Sequence, residues 1–182
     1  MSSTATPAAV RLHFQRVHNS QTLKGIAWRV IQRHDVPAVE HLVRRQVRGA
    51  DSWSLQPGTH GMAAYSRSGS LVAAVLATRG RSFAEHPNLF LTVAAHPSWG
   101  GTGLELAGLI LLERFLAQRG FTGGMLFGAC SSLDAQHYQQ AGYEISRPHE
   151  PLRLPGGKIM VSPNPQAPCW FYRRPLAEET TA

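Results

Sequence analysis

A glycine-rich turn between two apolar runs is the feature that most constrains this chain. Leu89–Ala95 reads LFLTVAA, apolar on both faces, which favours a strand that is covered on each side. Residues 104–119 are apolar at nearly every position until the last turns, and Gly120 follows them, which predicts a buried helix. Residues 96–103 lie between the two runs and contain three glycines. Glycines let a backbone approach an anion closely, and the unpaired amides that start a helix point at it, so the turn predicts a phosphate site.

The rest of the chain alternates short strand-like and helix-like runs, separated by glycine and proline. Residues 124–130 read as a strand, and residues 62–67 with 71–78 as a hairpin. With 182 residues the chain can bury one sizeable core and is too short for two ordinary domains. We therefore expect one α/β domain over residues 23–182. A flexible N-terminal extension over residues 1–22, beginning with Ser, Thr, Ala and Pro, is expected to precede it.

Composition excludes several classes of protein. Hydrophobic residues make up 43% of the chain, yet no apolar run approaches the roughly 18 residues of a spanning helix, so we expect a soluble protein without a membrane partner. Cys130 and Cys169 are too few for a disulfide framework and lack metal-ligand spacing with histidine, which predicts a reducing cytoplasm and no metal. The net charge is +7, and most of the positive residues are arginines, which favours anionic partners such as a nucleotide cofactor or an RNA. The same charge equally fits a chain whose arginine-rich composition reflects the base composition of its genome.

Two common phosphate-binding motifs do not fit the glycine-rich turn. A P-loop ends in Gly-Lys-Ser/Thr, and this turn contains no lysine. A dinucleotide-binding turn needs a third glycine where Leu106 stands, and an acidic residue that closes the next strand, at residues 125–130, where this chain has none. The turn is therefore expected to serve another class of phosphate-bearing ligand.

A second motif lies downstream of the turn, on a predicted short helix: Tyr138-Gln-Gln-Ala-Gly142-Tyr143. Together with the strand, the turn and the long helix before it, it resembles the GCN5-related N-acetyltransferase (GNAT) superfamily, whose short helix carries Tyr-x-x-x-Gly-Phe/Tyr. The resemblance covers most of the chain from about Gly25 onward. It implies a mixed, mostly antiparallel central sheet flanked by helices. It also implies transfer of an acetyl group from acetyl-CoA, as co-substrate, to a primary amine.

The pyrophosphate loop of that superfamily reads Arg/Gln-x-x-Gly-x-Gly/Ala, and this chain departs from it. One alignment puts Ser98 first and uses Gly101 and Gly103 as the two glycines. The other, which we prefer, puts Gly100 first, Gly103 fourth and Glu105 sixth. Both lack the basic or glutamine side chain, so backbone amides are expected to hold the pyrophosphate. The second also sets the carboxylate of Glu105 near that anion.

The resemblance implies roles for particular residues. Tyr138 would return a proton to the departing CoA thiolate, and Ser131 would take the place of a frequent asparagine. The pantetheine arm would bond to the main chain at the end of the central strand, and the turn would hold the pyrophosphate. The cofactor-binding residues expected on this basis are Val93, Ala94, Ala95, Trp99, Gly100, Gly101, Thr102, Gly103, Leu104, Ser131 and Tyr138.

The general base and the acceptor are less defined. Glu85 and His96 flank the central strand and are the candidates for the base that neutralises the amine. The acceptor could be a small molecule, a protein or an RNA-linked amine such as an aminoacyl-tRNA, which the basic charge would favour. The resemblance also implies a homodimer. The alternative hypothesis is a catalytically silent acyl-CoA-binding or nucleic-acid-binding module on the same fold.

Overall fold

The computed structural model describes residues 7–47, 49–79, 88–100, 102–121, 124–162 and 164–173. Four helices are α1 (Pro7–Leu23), α2 (Val36–Gln46), α3 (Leu104–Gln118) and α4 (Ala135–Gln140). The strands are β1 (Ala27–Val30), β2 (His60–Tyr65), β3 (Leu71–Thr78), β4 (Leu89–Ala95), β5 (Leu126–Cys130), β6 (Glu144–Ile145), β7 (Leu152–Arg153), β8 (Ile159–Met160) and β9 (Cys169–Arg173). Seven of them form one sheet in the order β1, β2, β3, β4, β5, β9, β6, and β7 pairs with β8.

Neighbouring strands of the large sheet are antiparallel except β4 and β5, which α3 connects in parallel. The parallel pairing is short: Leu89 lies opposite Leu126 and Phe90 opposite Phe127. Beyond these two pairs β4 continues along β3 to Ala95, while β5 continues along β9. The predicted mixed, mostly antiparallel sheet flanked by helices is thus confirmed, and the two central strands separate at their carboxyl ends.

Both faces of the sheet are covered. On one face, Leu109, Leu112 and Leu116 of α3 pack in a cluster with Val75 and Leu91 of the sheet. This cluster explains why the sequence of α3 is apolar nearly all round. On the other face lie α2 and the β7–β8 hairpin, whose buried apolar side chains include Val39, Val43, Leu152 and Leu154.

The prediction of a flexible N-terminal extension over residues 1–22 is wrong for residues 7–22, the part that the structure describes. Helix α1 spans Pro7–Leu23, and its buried Val10 and Phe14 belong to the same core cluster as α3. The guanidinium of Arg114 on α3 lies 4.6 Å from the ring centroid of Phe14. The spacing of Val10, Phe14 and Val17 places three apolar residues on one side of a helix whose other side is mostly polar. That narrow stripe is stable only because α3 covers it.

A buried polar cluster joins α3, β9 and the end of α4. The Glu113 carboxylate accepts hydrogen bonds from the Tyr143 hydroxyl and from the Arg173 guanidinium, whose Nε lies 2.9 Å from Glu113 Oε1. Arg173 Nη1 also donates to the carbonyl oxygen of Ala141, at 2.7 Å. All three side chains are buried. The cluster therefore fixes the chain that leaves α4 against the centre of the fold.

Removing the cation from this cluster should destabilise the fold strongly. An Arg173→Met variant would leave the Glu113 carboxylate buried without its partner, and Glu113 Oε2 already has no hydrogen bond. We expect a loss of about 3–5 kcal/mol in the free energy of unfolding, measured by urea denaturation. Adding Glu113→Leu should restore part of that loss. Losses that simply add in the double variant would contradict the ion pairing.

A second polar cluster fixes the junction between β1 and α2. The buried Asp35 carboxylate accepts hydrogen bonds from Arg29 Nη1 at 2.8 Å, Arg29 Nη2 at 2.6 Å, the Gln32 amide at 2.7 Å and the Tyr65 hydroxyl at 2.5 Å. Burial alone would raise the pKa of Asp35. The bonds from Tyr65 and the Gln32 amide, with the Arg29 guanidinium, outweigh burial and lower this pKa below its ordinary value.

An Asp35→Asn substitution should therefore cost stability in a pH-dependent way. A carboxyl with a lowered folded-state pKa stabilises the fold above its unfolded pKa of about 3.9, and this contribution is lost as the pH falls through the folded pKa. We expect the variant to be about 2–3 kcal/mol less stable than wild type at pH 7 and the difference to shrink below about pH 4. Urea denaturation across pH measures this. Asp51→Asn, at an exposed position, is the control, and a pH-independent difference would contradict the expectation.

Candidate active site

A cleft of about 550 Å³ opens at the carboxyl end of β4, beyond its last pairs with β5. Five elements enclose it: β4, the glycine-rich turn with the start of α3, α4, the C-terminal end of α2, and α1. The lining residues are His13, Val17, Gln46, Val93, Ala94, Ala95, Gly100, Thr102, Gly103, Glu105, Leu106, Leu109, Asp134, His137, Tyr138 and Gln140.

The main chain of β4 presents hydrogen-bonding groups to this cleft. The amide of His96 donates to Val72 O of β3 at 2.8 Å. Because the groups of a strand alternate between its two sides, those of Ala94 also face β3, whereas those of Val93 and Ala95 face the side of β5. That side is unpaired with β5 beyond Phe90. Val93 and Ala95 therefore offer amide and carbonyl groups to a ligand in the cleft.

The turn after β4 uses several of its amides internally. A 3-10 turn spans Pro97–Trp99. The amides of Trp99, Gly100 and Thr102 donate to carbonyl oxygens of His96, Pro97 and Trp99, at 2.9, 3.0 and 3.3 Å. The expectation that amides along the whole of 99–104 face an anion is therefore too broad, because three of them already have partners.

The free amides begin where α3 begins. Gly103 precedes α3 with a φ of +75°, in the left-handed region that glycine tolerates, and the first intrahelical bond runs from Ala107 N to Gly103 O at 3.0 Å. The amides of Leu104, Glu105 and Leu106 precede that bond and point out of the helix N-terminus. They form an anion-binding arrangement at the cleft, reinforced by the helix dipole.

Most of the sequence-predicted binding residues meet in this cleft: Val93, Ala94, Ala95, Gly100, Thr102, Gly103 and Tyr138. Leu104 offers its amide only, since its side chain is fully buried. The Trp99 ring packs against the cluster of Ile26 and Leu104 rather than lining the cleft. Gly101 lies outside the described residues.

Ser131 has a structural task. Its hydroxyl donates to Asp134 Oδ2 at 2.6 Å and accepts from the Asp134 amide at 3.1 Å, which closes the turn before α4. It is not among the residues that line the cleft, whereas Asp134 is.

His96, one of the two candidates for the general base, is not brought to the cleft. His96 is exposed, and its Nδ1 lies 2.7 Å from Ser98 Oγ and 3.3 Å from the Ser98 amide, so the ring caps the 3-10 turn. Glu85 lies outside the described residues. The titratable groups that do line the cleft are His13, Glu105, Asp134, His137 and Tyr138.

Sequence did not predict His13, Asp134 or His137 as site residues, although one signal for His137 was available. His137 directly precedes Tyr138, so any helix that brings Tyr138 to a site brings its neighbour nearby. His13 depends on α1, which local sequence did not predict.

Tyr138 is held by its ring. The phenol stacks on Phe171 with centroids 3.8 Å apart and planes 7° apart, and it meets Tyr143 edge-on at 6.4 Å. Burial raises the pKa of Tyr138, and the Cys130 thiol with the carboxylates of Glu105 and Asp134 raises it further. The group therefore keeps its proton at neutral pH.

Charge in the cleft contrasts with the basic chain. Glu105 and Asp134 contribute two carboxylates, while none of the lining residues in the described part of the chain is lysine or arginine. Glu105 stands in the first turn of α3, beside the free amides.

Both cysteines are free and buried. Burial raises the pKa of Cys130 to about 12, and the nearby Cys169 and Asp134 add to the shift. Cys130 therefore stays a thiol at neutral pH. Among the described residues, no group of three or more His, Cys, Asp or Glu side chains is arranged to hold a metal ion. No helix in that same part of the chain is both long and apolar enough to cross a membrane.

Comparison with known proteins rests on structure. No family model matches the sequence, and no curated protein is found to be similar to it. The phosphinothricin acetyltransferase of Sinorhizobium meliloti, a GNAT superfamily member solved with AcCoA, has a TM-score of 0.60 and 15% identity, over 86% of this chain and 91% of that one. A GNAT family N-acetyltransferase from Escherichia coli, solved with CoA, has a TM-score of 0.58 and 15% identity, over 84% and 82%.

A third similar structure is a nourseothricin acetyltransferase, with a TM-score of 0.56 and 16% identity, over 84% of this chain and 99% of that one. At such identities the likeness concerns the fold. It agrees with the separated central strands, the glycine-rich turn and the helix carrying Tyr138. The chain has the fold of the GCN5-related N-acetyltransferase superfamily.

Proposed function

We propose that this protein is an acetyl-CoA-dependent N-acetyltransferase that acts on the primary amine of an acceptor still to be identified. The observation that carries the proposal is the meeting of three features in one cleft. These are the unpaired side of β4, the free amides at the start of α3, and Tyr138. The GNAT structures of similar fold that were solved with AcCoA or CoA support the same ligand class.

The residues of the cleft fit CoA in two of its parts. The main-chain groups of Val93 and Ala95 suit the amides of a pantetheine arm, because they lie beyond the β4–β5 pairing. The amides of Leu104, Glu105 and Leu106 suit a diphosphate, since they are the unpaired donors of a helix N-terminus. The Glu105 carboxylate opposes the second contact and is expected to weaken it.

In the proposed reaction, a C–N bond to the acetyl group forms and the C–S bond of the thioester breaks. Acetyl-CoA supplies the activated acetyl group. The β4 main chain and the α3 amides hold it in place, which makes the encounter with the amine intramolecular in character. Tyr138 is protonated at neutral pH and holds a proton that the departing thiolate can accept. The proton that the amine loses as the amide forms then restores the phenol.

One observation favours the second hypothesis, a catalytically silent module on the same fold. The cleft carries two carboxylates and, among the described lining residues, no lysine or arginine to hold phosphates. Three further properties stay predictions: the cytoplasmic location, the RNA-linked acceptor and the homodimer. Both cysteines are free thiols, which is consistent with a reducing compartment.

Titration of CoA and acetyl-CoA into the purified protein tests the proposal directly. We expect binding with a Kd in the micromolar range, and tighter binding by Glu105→Gln. Removing one unit charge about 4 Å from a phosphate in water is worth about 1 kcal/mol, or roughly fivefold in Kd. Glu144→Gln, at an exposed position on β6, is the control and should bind as wild type does. No binding to wild type or Glu105→Gln up to millimolar CoA would overturn the proposal.

A Tyr138→Phe variant separates an enzyme from a silent binder. Loss of the proton donor should reduce acetyl transfer about a hundredfold or more, while the Kd for CoA changes little, since the ring stacking on Phe171 is kept. Release of CoA thiol from acetyl-CoA in the presence of a panel of primary amines measures the rate. Tyr172→Phe on β9 serves as the control. A Tyr138→Phe enzyme with the wild-type rate would exclude the proton-donor role.

A further inference from the structure

Helix α1 places a row of side chains against the candidate active site. His13, Val17 and Gln21 are spaced by four residues, so they share one face of the helix. His13 and Val17 line the cleft. Gln21, one turn further on, is only 2% exposed, so its amide group is taken out of water and needs partners within the protein.

Val17 is fitted to the start of α3. A Cβ atom on Gly103 would lie 2.8 Å from Val17 Cγ1 and 3.2 Å from Val17 Cγ2. The left-handed φ of Gly103 and the approach of α1 therefore both require glycine at this position. Conversely, the Val17 side chain limits the space into which the turn could move.

Gln21 connects three elements at the same place. Its Oε1 accepts a hydrogen bond from Trp28 Nε1 of β1 at 3.0 Å, and its Nε2 donates to Thr102 O of the turn at 3.5 Å, a long hydrogen bond. The Trp28 ring lies against α3, where a Cβ on Gly108 would come within 2.5 Å of it. The Gln21 carboxamide thus joins the turn to β1, and Trp28 joins β1 to α3.

We infer that Gln21 and Val17 are positioning residues that hold the turn, and with it the amides of Leu104, Glu105 and Leu106, in the arrangement that binds a diphosphate. The inference rests on the proposed function for the identity of the anion. A turn held in place before binding loses less conformational freedom when the anion arrives, so Gln21, which does not line the cleft, raises the affinity indirectly. The effect is confined to the diphosphate end of the ligand, because the pantetheine groups are held by β4.

The test compares Gln21→Met with Gln15→Met, the same substitution on the exposed side of the same helix. Methionine has a side chain of the same length as glutamine, and it cannot make the two hydrogen bonds of the Gln21 carboxamide. Three probes are titrated: CoA, ADP as the diphosphate without the arm, and pantetheine as the arm without the diphosphate. Hydrogen exchange of the Leu104, Glu105 and Leu106 amides is measured in the absence of ligand.

For Gln21→Met we expect CoA and ADP to bind about three- to tenfold more weakly, unchanged binding of pantetheine, and faster exchange of the three amides. Gln15→Met should match wild type in all four measurements. A general loss of structure would weaken pantetheine binding as well, and that result would overturn the inference. Wild-type affinities and exchange rates in Gln21→Met would also overturn it.

Two further arms keep the inference decidable. If Gln21→Met does not fold, Val17→Ala at a partly exposed position replaces it, with the same expected pattern and the same contradicting results. If neither wild type nor Glu105→Gln binds CoA or ADP, the proposed function fails, and hydrogen exchange alone then decides the inference. Faster exchange of the three amides in the variant supports the positioning role, and an unchanged rate overturns it.

Discussion

The short parallel pairing of β4 with β5 is the constraint on which the rest of this molecule depends. Two residue pairs hold the strands together, and beyond them each strand follows a different antiparallel neighbour. The separation leaves main-chain groups of Val93 and Ala95 without a strand partner, and it makes room for the start of α3 and for α4. If β4 and β5 were paired along their whole length, those groups would be hydrogen-bonded within the sheet and the cleft would be closed. The unpaired backbone and the cavity are therefore two results of one register.

A buried polar cluster links α3, β9 and the end of α4 and so fixes the elements around the cleft. The Glu113 carboxylate binds Tyr143 and Arg173, and Arg173 also holds the carbonyl of Ala141 at the end of α4. The same Tyr143 ring meets Tyr138 edge-on. Buried charge therefore orients the helix that carries the proposed proton donor, while the donor itself is placed by aromatic contacts.

The sequence predicted the elements that a local apolar pattern determines, and it did not predict the element that is stabilised by packing against residues distant in the chain. The strand, turn and buried helix at residues 89–118 were predictable because a run apolar on both faces has few alternatives. Helix α1 was not, because its narrow stripe becomes stable only against α3, which lies far downstream in the sequence. The roles of Ser131 and His96 depend on hydrogen bonds to neighbouring residues, which residue type alone does not specify. The use of the turn amides likewise follows from φ and ψ angles and not from the glycine count.

Helix α1 also sets an order of events during synthesis. It is the first described element to leave the ribosome, yet the surface that its Val10 and Phe14 cover belongs to α3, which is made about eighty residues later. Until then α1 has no core to join and remains an isolated helix with a marginal tendency to form. Because α1 supplies one wall of the cleft, the nascent chain cannot assemble this site before α3 has emerged. Truncated translation products that end before α3 would expose the apolar stripe of α1 and lack the cleft altogether.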